Sequence, residues 1–351
     1  MNKTSILVGA ALLAMSGAAL ANDTTAQLGT GGLVFVTNEN IEMAAEDLTV
    51  GPEQVKVVYK FNNKSDTPQH ILVAFPMPDI EGSGDFMTAV PVFTGYGDDA
   101  APVDDPDNLF DFATTFNGKP VDATLHQYAF NNNIDYSEML RKLNVPLEPF
   151  GGETTKVLNG LDKADQAKLV QLGLVIPMEY DDGSGTKTDY TPVWTLRSTY
   201  SWEATFAPGE SDVVHTYKPS VGGTVATTFM PVDGDQYSQD RFVEYQKKYC
   251  VDDTLVKALK KVATTADGYT NYPYVESWIS YIWSTGANWG GPIGKFTLTV
   301  DKGKADSLVS FCGEGVKKID PTTFQMTATD WYPPYGQELE ILLLNKNDYQ
   351  P

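Results

Sequence analysis

A histidine in an aromatic run is the first feature of this sequence that suggests chemistry. His215 and Tyr217 are separated by one residue in the run 212–219, and in a strand that spacing places both side chains on one face. Such a histidine can act as a general base or a metal ligand. No second histidine or cysteine has the spacing of a metal site. We therefore favour a hydrogen-bonded structural histidine and predict no metal.

A glycine-rich connection with two tryptophans is the second such feature. Trp283, Asn288 and Trp289 lie in it, close in sequence to several tyrosines. Exposed aromatic rings stack on sugars and anchor protein interfaces. These three residues, with His215 and Tyr217, are our predicted ligand-binding set. The alternative is that the aromatic rings pack in the core, and this is the interpretation that we favour for them. Burial of both tryptophans would exclude an aromatic binding surface built on them.

Motifs of the common enzyme classes are absent from the sequence. It contains no G-x-S-x-G, H-E-x-x-H, P-loop or CxxC motif. We predict a non-enzymatic protein with a binding or structural role, with no catalytic residue and no cofactor. The alternative is a carboxylate- or histidine-dependent hydrolase that acts on an envelope or extracellular substrate, because two of the 46 acidic residues could form a catalytic pair.

The two cysteines are best explained as a disulfide. Cys250 and Cys312 are the only cysteines in the sequence, and two cysteines in an oxidising compartment most simply form one disulfide. A catalytic thiolate at Cys312 is the alternative, but no histidine lies beside it to activate the thiol.

The N-terminus has the pattern of a signal peptide. Lys3 precedes an apolar run over 6–15, and Ala19 and Ala21 are the small residues that signal peptidase requires. We predict cleavage after residue 21 and a periplasmic or secreted protein. An uncleaved anchor is the alternative, but this run and all later ones are shorter than the roughly 20 residues of a spanning helix. The mature chain therefore has no predicted transmembrane segment.

Composition excludes one partner class. The 351 residues carry a net charge of −21, whereas nucleic-acid binding needs clustered lysine and arginine. The partner we predict is an unidentified envelope protein or glycan. The acidic loop over 79–106 could hold calcium, but a solvated loop is the favoured interpretation. It contains a cluster of aspartates at Asp98, Asp99, Asp104 and Asp105, and Asp107 follows directly.

Strand patterns dominate the elements that must position these residues. Alternation predicts strands over 55–61, 193–202 and 212–219, with 70–75 as the antiparallel neighbour of the first. Asn117 and Gly118 predict the turn of a hairpin. The fold class is mainly β, with two β-sandwich-like units, a small helical insertion and a short helical connection.

Two domains follow from this pattern. Residues 22–230 form a β-rich domain with a helical insert at about 132–178, which begins with a capping box over 135–138 and has a second helix over 162–172. Residues 231–351 form a C-terminal β-unit that begins with a helix capped by Asp252. Residues 278–300 are predicted to be a strand, a glycine turn and a strand in this unit.

A set of short motifs resembles one family. They are Gly31-Gly-Leu-Val, Val57-x-Tyr-x-Phe61, Ala74-Phe-Pro-Met-Pro-Asp79, His215-x-Tyr-x-Pro219 with Gly222, and Asn288-Trp-x-Gly-Pro-Ile-Gly294. Together they resemble the uncharacterised secreted bacterial family called domain of unknown function 4424, over essentially the whole mature chain. The resemblance implies export and a β-rich fold. It implies no activity, ligand or catalytic residue.

Overall fold

The computed structural model describes residues 24–29, 32–82, 90–91, 108–266 and 268–347. The predicted signal peptide and the aspartate cluster of the acidic loop lie outside these ranges. The signal peptide and the solvated acidic loop therefore both stay predictions, with calcium binding as the alternative for the loop.

Strands make up about half of the described chain, and helices are few. The strands are β1 (Thr24–Gly29), β2 (Gly32–Val36), β3 (Ile41–Val50), β4 (Val55–Asn63), β5 (Gln69–Pro76), β6 (Ile80–Glu81), β7 (Val90–Pro91), β8 (Ala113–Phe116), β9 (Lys119–Val121), β10 (Thr124–Asn131), β11 (Ile134–Asp135), β12 (Val175–Asp181), β13 (Thr186–Pro192), β14 (Thr195–Phe206), β15 (Gly209–Tyr217), β16 (Ser220–Gly223), β17 (Thr264–Ala266), β18 (Tyr269–Asn271), β19 (Tyr274–Tyr281), β20 (Ile293–Asp301), β21 (Leu308–Phe311), β22 (Lys317–Lys318), β23 (Thr323–Trp331) and β24 (Leu339–Lys346). The helices are α1 (Ser137–Lys142), α2 (Gly152–Gly160), α3 (Lys163–Gln171), α4 (Gln236–Lys248), α5 (Asp253–Val262) and a 3-10 helix over Ser284–Asn288. The mainly β prediction is confirmed.

Three large sheets contain most of these strands. The eight-stranded sheet has the order β22-β23-β20-β3-β4-β15-β8-β9. The seven-stranded sheet has the order β11-β10-β14-β5-β1-β2, with β6 paired to β14. The five-stranded sheet has the order β21-β24-β19-β16-β7. Two further ribbons, β12-β13 and β17-β18, pair only within themselves in the described chain.

One face of the eight-stranded sheet carries the main core. Along β4, Tyr59 and Phe61 are buried while Lys60 between them is exposed, as period-two alternation requires. The Phe61 ring packs edge-on against Phe206 of the seven-stranded sheet, with centroids 5.6 Å apart. The Tyr59 hydroxyl lies 3.1 Å from that of Tyr281 in the five-stranded sheet. The other two sheets therefore cover the same face, and the three share one apolar core.

Helices α4 and α5 cover the opposite face of the five-stranded sheet. Tyr245 of α4 donates a 2.6 Å hydrogen bond to the buried carboxylate of Glu276 in β19. A second apolar cluster fills the space between helices and sheet. Cys250, between the two helices, forms a disulfide with Cys312, which follows β21. The covalent bond thus ties this helical layer to the edge of the sheet it covers.

Strand pairing crosses the predicted boundary at residue 230. β3 and β20 pair in parallel, with Leu48 opposite Leu298, and both strands lie inside the eight-stranded sheet. The division into two domains stays a prediction, but strands from both sides of it build one sheet.

The predicted partner of residues 70–75 is wrong. β5 pairs with β1 and β14 in the seven-stranded sheet, whereas β4 pairs with β3 and β15. The intervening turn carries the chain to the other sheet, and Asn63 fixes this corner by donating hydrogen bonds to the carbonyls of Thr67 and Phe206. β5 buries Val73, Ala74 and Phe75 in succession, which is typical of a strand covered on both faces.

The helical insert contains three helices. α3 begins at the predicted place, where the Asp162 carboxylate accepts hydrogen bonds from the backbone N–H groups of Ala164 and Asp165. The predicted capping box does not form, because Asp135 accepts hydrogen bonds from both the backbone N–H and the hydroxyl of Ser137. α2 was not predicted, because glycine occupies both its first and its last position.

Candidate functional site

Four of the five residues predicted to bind a ligand are buried, and the fifth, Asn288, is half-buried. Trp283 is 4% exposed, Trp289 is 2% exposed, and His215 and Tyr217 are equally inaccessible. The hypothesis of an aromatic surface built on the two tryptophans required at least one of them to be exposed. They are core residues here, so this surface is not formed.

His215 lies in a cage of aromatic rings. The ring centroids of Phe75, Phe112 and Trp202 are 5.0, 5.1 and 5.0 Å from that of the imidazole, and Tyr59 approaches edge-on at 5.7 Å. Burial raises the pKa of the neighbouring Tyr217 phenol far above its usual value. Both side chains therefore have the surroundings of structural core residues.

Asn288 and Trp289 hold the N-terminal segment in place. The Asn288 side chain donates a 2.9 Å hydrogen bond to the hydroxyl of Thr24 in β1. The backbone carbonyl of Asn288 accepts a hydrogen bond from the backbone N–H of Asn38. The Trp289 ring packs 4.5 Å from Phe61 in the main core. This pair fastens the start of the described chain to its C-terminal part.

Two glycines of the same stretch allow close backbone contact. A Cβ atom on Gly290 would lie 2.7 Å from the carbonyl oxygen of Glu39, and one on Gly294 would lie 2.7 Å from that of Ala44. Both obstacles are backbone atoms, which cannot rotate away as a side chain can. The Asn288–Gly294 motif is therefore explained by packing against the start of β3 and the residues just before it.

Residues 278–300 contain the predicted strands, but these do not form one hairpin. β19 belongs to the five-stranded sheet and β20 to the eight-stranded sheet. The glycine-rich connection carries the chain from one layer of the sandwich to the other, which is why its tryptophans point into the core.

Trp283 anchors a neighbouring loop. Its indole N–H donates a 2.9 Å hydrogen bond to the carbonyl of Gln337, and its backbone N–H donates one of 2.9 Å to the Glu338 carboxylate. The Ser284 hydroxyl donates a third, of 2.6 Å, to the other oxygen of Glu338. The far side of the loop is held by Trp331, which stacks on Phe296 at 4.0 Å.

This loop presents the best candidate site in the described chain. We call residues 332–337 the tyrosine loop. Tyr335 is fully exposed and Tyr332 is 60% exposed, with Pro333 and Pro334 between them. The rings are free to contact a ligand, while the ends of the loop are fixed by the half-buried Trp331 and the buried Trp283. Our sequence reasoning missed this pair, although the pattern Tyr-Pro-Pro-Tyr was a usable signal.

Two carboxylates follow the tyrosine loop. Burial raises the pKa of Glu338, against the opposing effect of the hydrogen bonds from Ser284 and Trp283. Burial likewise raises the pKa of Glu340, although Lys248 and Ser280 act in the opposite direction. A pair of acids with raised pKa values is one requirement of the hydrolase alternative. Both, however, already accept hydrogen bonds from the chain, which suits an anchoring role.

Clustered metal ligands and membrane-spanning helices are both absent from the described ranges. There, no group of three or more histidine, cysteine, aspartate or glutamate side chains is placed to hold a metal ion. In the same residues, no helix has the length and apolar character needed to cross a membrane.

Comparisons with known proteins identify a family but no activity. A family model described as a domain of unknown function (DUF4424) matches residues 21–342. No curated protein matches. A solved structure of a "putative nutrient binding protein" from Legionella pneumophila subsp. pneumophila strain Philadelphia 1 is similar over 93% of this chain and 70% of that chain, with 12% identity and a TM-score of 0.41.

Proposed function

The chain belongs to the family of the domain of unknown function 4424, whose description names no activity, and we propose that it is an exported, non-enzymatic binding protein of the bacterial cell envelope. Its ligand is an envelope protein or a glycan, and the tyrosine loop is the contact surface. The observation that carries this proposal is the exposure of Tyr332 and Tyr335 on a loop whose C-terminal end is anchored to the buried Trp283.

Fixed anchors favour binding because they reduce the entropy lost when a ligand is captured. Trp283 and Glu338 hold the C-terminal end of the loop through the hydrogen bonds described above. Tyrosine is also among the residues that contribute most to interfaces, because its ring adds large contact area with few rotatable bonds.

The disulfide supports a location outside the cytoplasm. Structural disulfides persist in oxidising compartments such as the periplasm and are rare in the cytosol, and the bridge between Cys250 and Cys312 is of this kind. The predicted signal peptide also supports a location outside the cytoplasm.

The test compares two pairs of exposed tyrosines. Mature protein is immobilised and incubated with native envelope extract that includes its glycans. Tyr332→Ala/Tyr335→Ala should reduce ligand capture by roughly tenfold or more. A tenfold loss of affinity corresponds to only about 1.4 kcal/mol of binding free energy, and the variant removes two ring contacts. Tyr237→Ala/Tyr269→Ala removes two equally exposed rings elsewhere and is the matched control. Equal capture by both variants would exclude the tyrosine loop as the contact surface.

A further inference from the structure

The strand that leads into the tyrosine loop has an unpaired side. β23 pairs with β20 at both of its ends, Thr323 and Trp331. On its other side it pairs with β22, through Phe324 and Gln325. Among the residues that the structure describes, no strand pairs with the rest of this side. We call residues 327–329 the open edge.

The backbone groups of the open edge point away from β20. The Thr322 carbonyl accepts a hydrogen bond from the backbone N–H of Lys302, which follows β20. The Thr323 carbonyl instead accepts one from the residue that follows β22. Because the direction of these groups alternates along a strand, even-numbered residues of β23 bond toward β20 and odd-numbered residues bond away from it. Thr327 and Thr329 therefore direct their N–H and C=O groups to the open edge.

A polypeptide strand is the ligand that matches this edge. Thr327 and Thr329 are both exposed, and they repeat their donors and acceptors at about 6.8 Å, twice the rise of a strand. A partner strand carries complementary groups with the same repeat. A glycan has no main chain of this kind, so the open edge favours a protein.

The open edge continues directly into the tyrosine loop. Asp330 has a φ of 49°, so the strand ends its regular course there, and Trp331 fixes the next position by stacking on Phe296. The exposed Tyr332 follows at once. A segment bound along the open edge thus lies next to the first of the two exposed rings.

We propose that the ligand of the tyrosine loop is an extended segment of a partner protein, which adds to β23 as a further strand along the open edge. Main-chain hydrogen bonds to Thr327 and Thr329 supply affinity, and side-chain contacts with Tyr332 and Tyr335 supply specificity. Two copies of a chain with net charge −21 repel each other, so the segment belongs to a different protein. This inference rests on the proposed function, and it selects a protein over a glycan as the ligand.

The probe is a display library of random nine-residue peptides, selected on the intact mature protein. Peptides that the wild type retains and Tyr332→Ala/Tyr335→Ala loses are synthesised, and their binding is measured by fluorescence anisotropy. Thr327→Pro should weaken this binding by roughly tenfold or more, because it removes a main-chain donor from the open edge. Thr327→Val is the matched control, because it changes the side chain alone, and it should bind as the wild type does.

Thermal unfolding of Thr327→Pro should stay close to that of the wild type, because the lost N–H points away from β20 and proline is tolerated at a sheet edge. A second measurement needs no variant of the protein. In an added strand, alternate N–H groups of the peptide face β23 and the others face solvent. Of two peptides methylated on alternate backbone nitrogens, one should lose binding and the other should keep it.

Equal binding of the two methylated peptides, or undiminished binding by a folded Thr327→Pro variant, would overturn the inference and leave the tyrosine loop as a contact surface. So would a library that yields no tyrosine-dependent peptide while glycans of the envelope extract are captured through the tyrosines. A wild-type dimer that Thr327→Pro abolishes would overturn it in favour of a second copy. The proposed function itself fails only if the tyrosine variant captures as much from the extract as the wild type.

Discussion

The disulfide should contribute a large share of the stability of the C-terminal layer. Cys250 and Cys312 are separated by 62 residues, and closing a loop of that length removes about 4 kcal/mol of chain entropy from the unfolded state at room temperature. Cys250→Ala/Cys312→Ala should therefore lower the free energy of unfolding by about that amount. Denaturant unfolding of the oxidised wild type, the reduced wild type and the double variant measures it.

The backbone at Cys250 supplies an internal control. Its φ is 53°, a left-handed conformation that costs a residue with a Cβ about 1–2 kcal/mol and that glycine adopts freely. Cys250→Gly/Cys312→Ala should thus be more stable than the double alanine variant by about 1 kcal/mol. The reasoning is refuted if reduction changes the unfolding free energy by less than about 1 kcal/mol, well below the loop-closure value.

Two further predictions follow from buried side chains near the tyrosine loop and the connection before β20. Trp289→Ala should cost about 3–5 kcal/mol of folding stability because it leaves a cavity beside Phe61. Tyr335→Ala should leave the unfolding midpoint unchanged, because its side chain is fully exposed. A Trp289 variant of wild-type stability would contradict the packing of this ring in the core. Glu340 has a folded pKa raised by burial above its ordinary value of 4.5, so the folded state binds its proton more tightly and loses stability as pH rises from 4.5 through the folded pKa. Glu340→Gln lacks this loss, so its unfolding free energy should improve relative to wild type between acid and neutral pH; an unchanged or opposite trend in denaturant unfolding would refute the raised pKa.

Local signals in the sequence were sufficient for many of the elements. The alternation in β4 predicted its first residue and its buried face, because one face packs on the core and the other meets solvent. The strand continues two residues beyond the predicted end, to Asn63. Asn117 and Gly118 have φ values of 49° and 74°, as the predicted turn requires. Asp252 caps α5 by accepting a hydrogen bond from the backbone of Leu255. Each signal involves residues a few positions apart.

Sheet membership could not be predicted in this way. β4 and β5 are consecutive, yet they lie in opposite layers, and so do β19 and β20. Alternation shows that a strand has a buried face without showing which sheet it joins. For the same reason the exposure of Trp283 and Trp289 was not predictable: an aromatic residue in a glycine-rich connection is exposed in a hairpin turn but buried where the chain crosses between layers.

The parallel pair of β3 and β20 has a consequence for how the protein folds. Leu48 meets Leu298, so a central strand of the largest sheet has no partner on one side until most of the chain has been synthesised. Contacts this far apart in sequence slow folding, because the closure entropy of a long loop must be overcome first. In the meantime the free edge of β3 can pair with other chains. The edge of β3 that β20 covers in the folded protein is therefore the part of the largest sheet that stays exposed longest during synthesis.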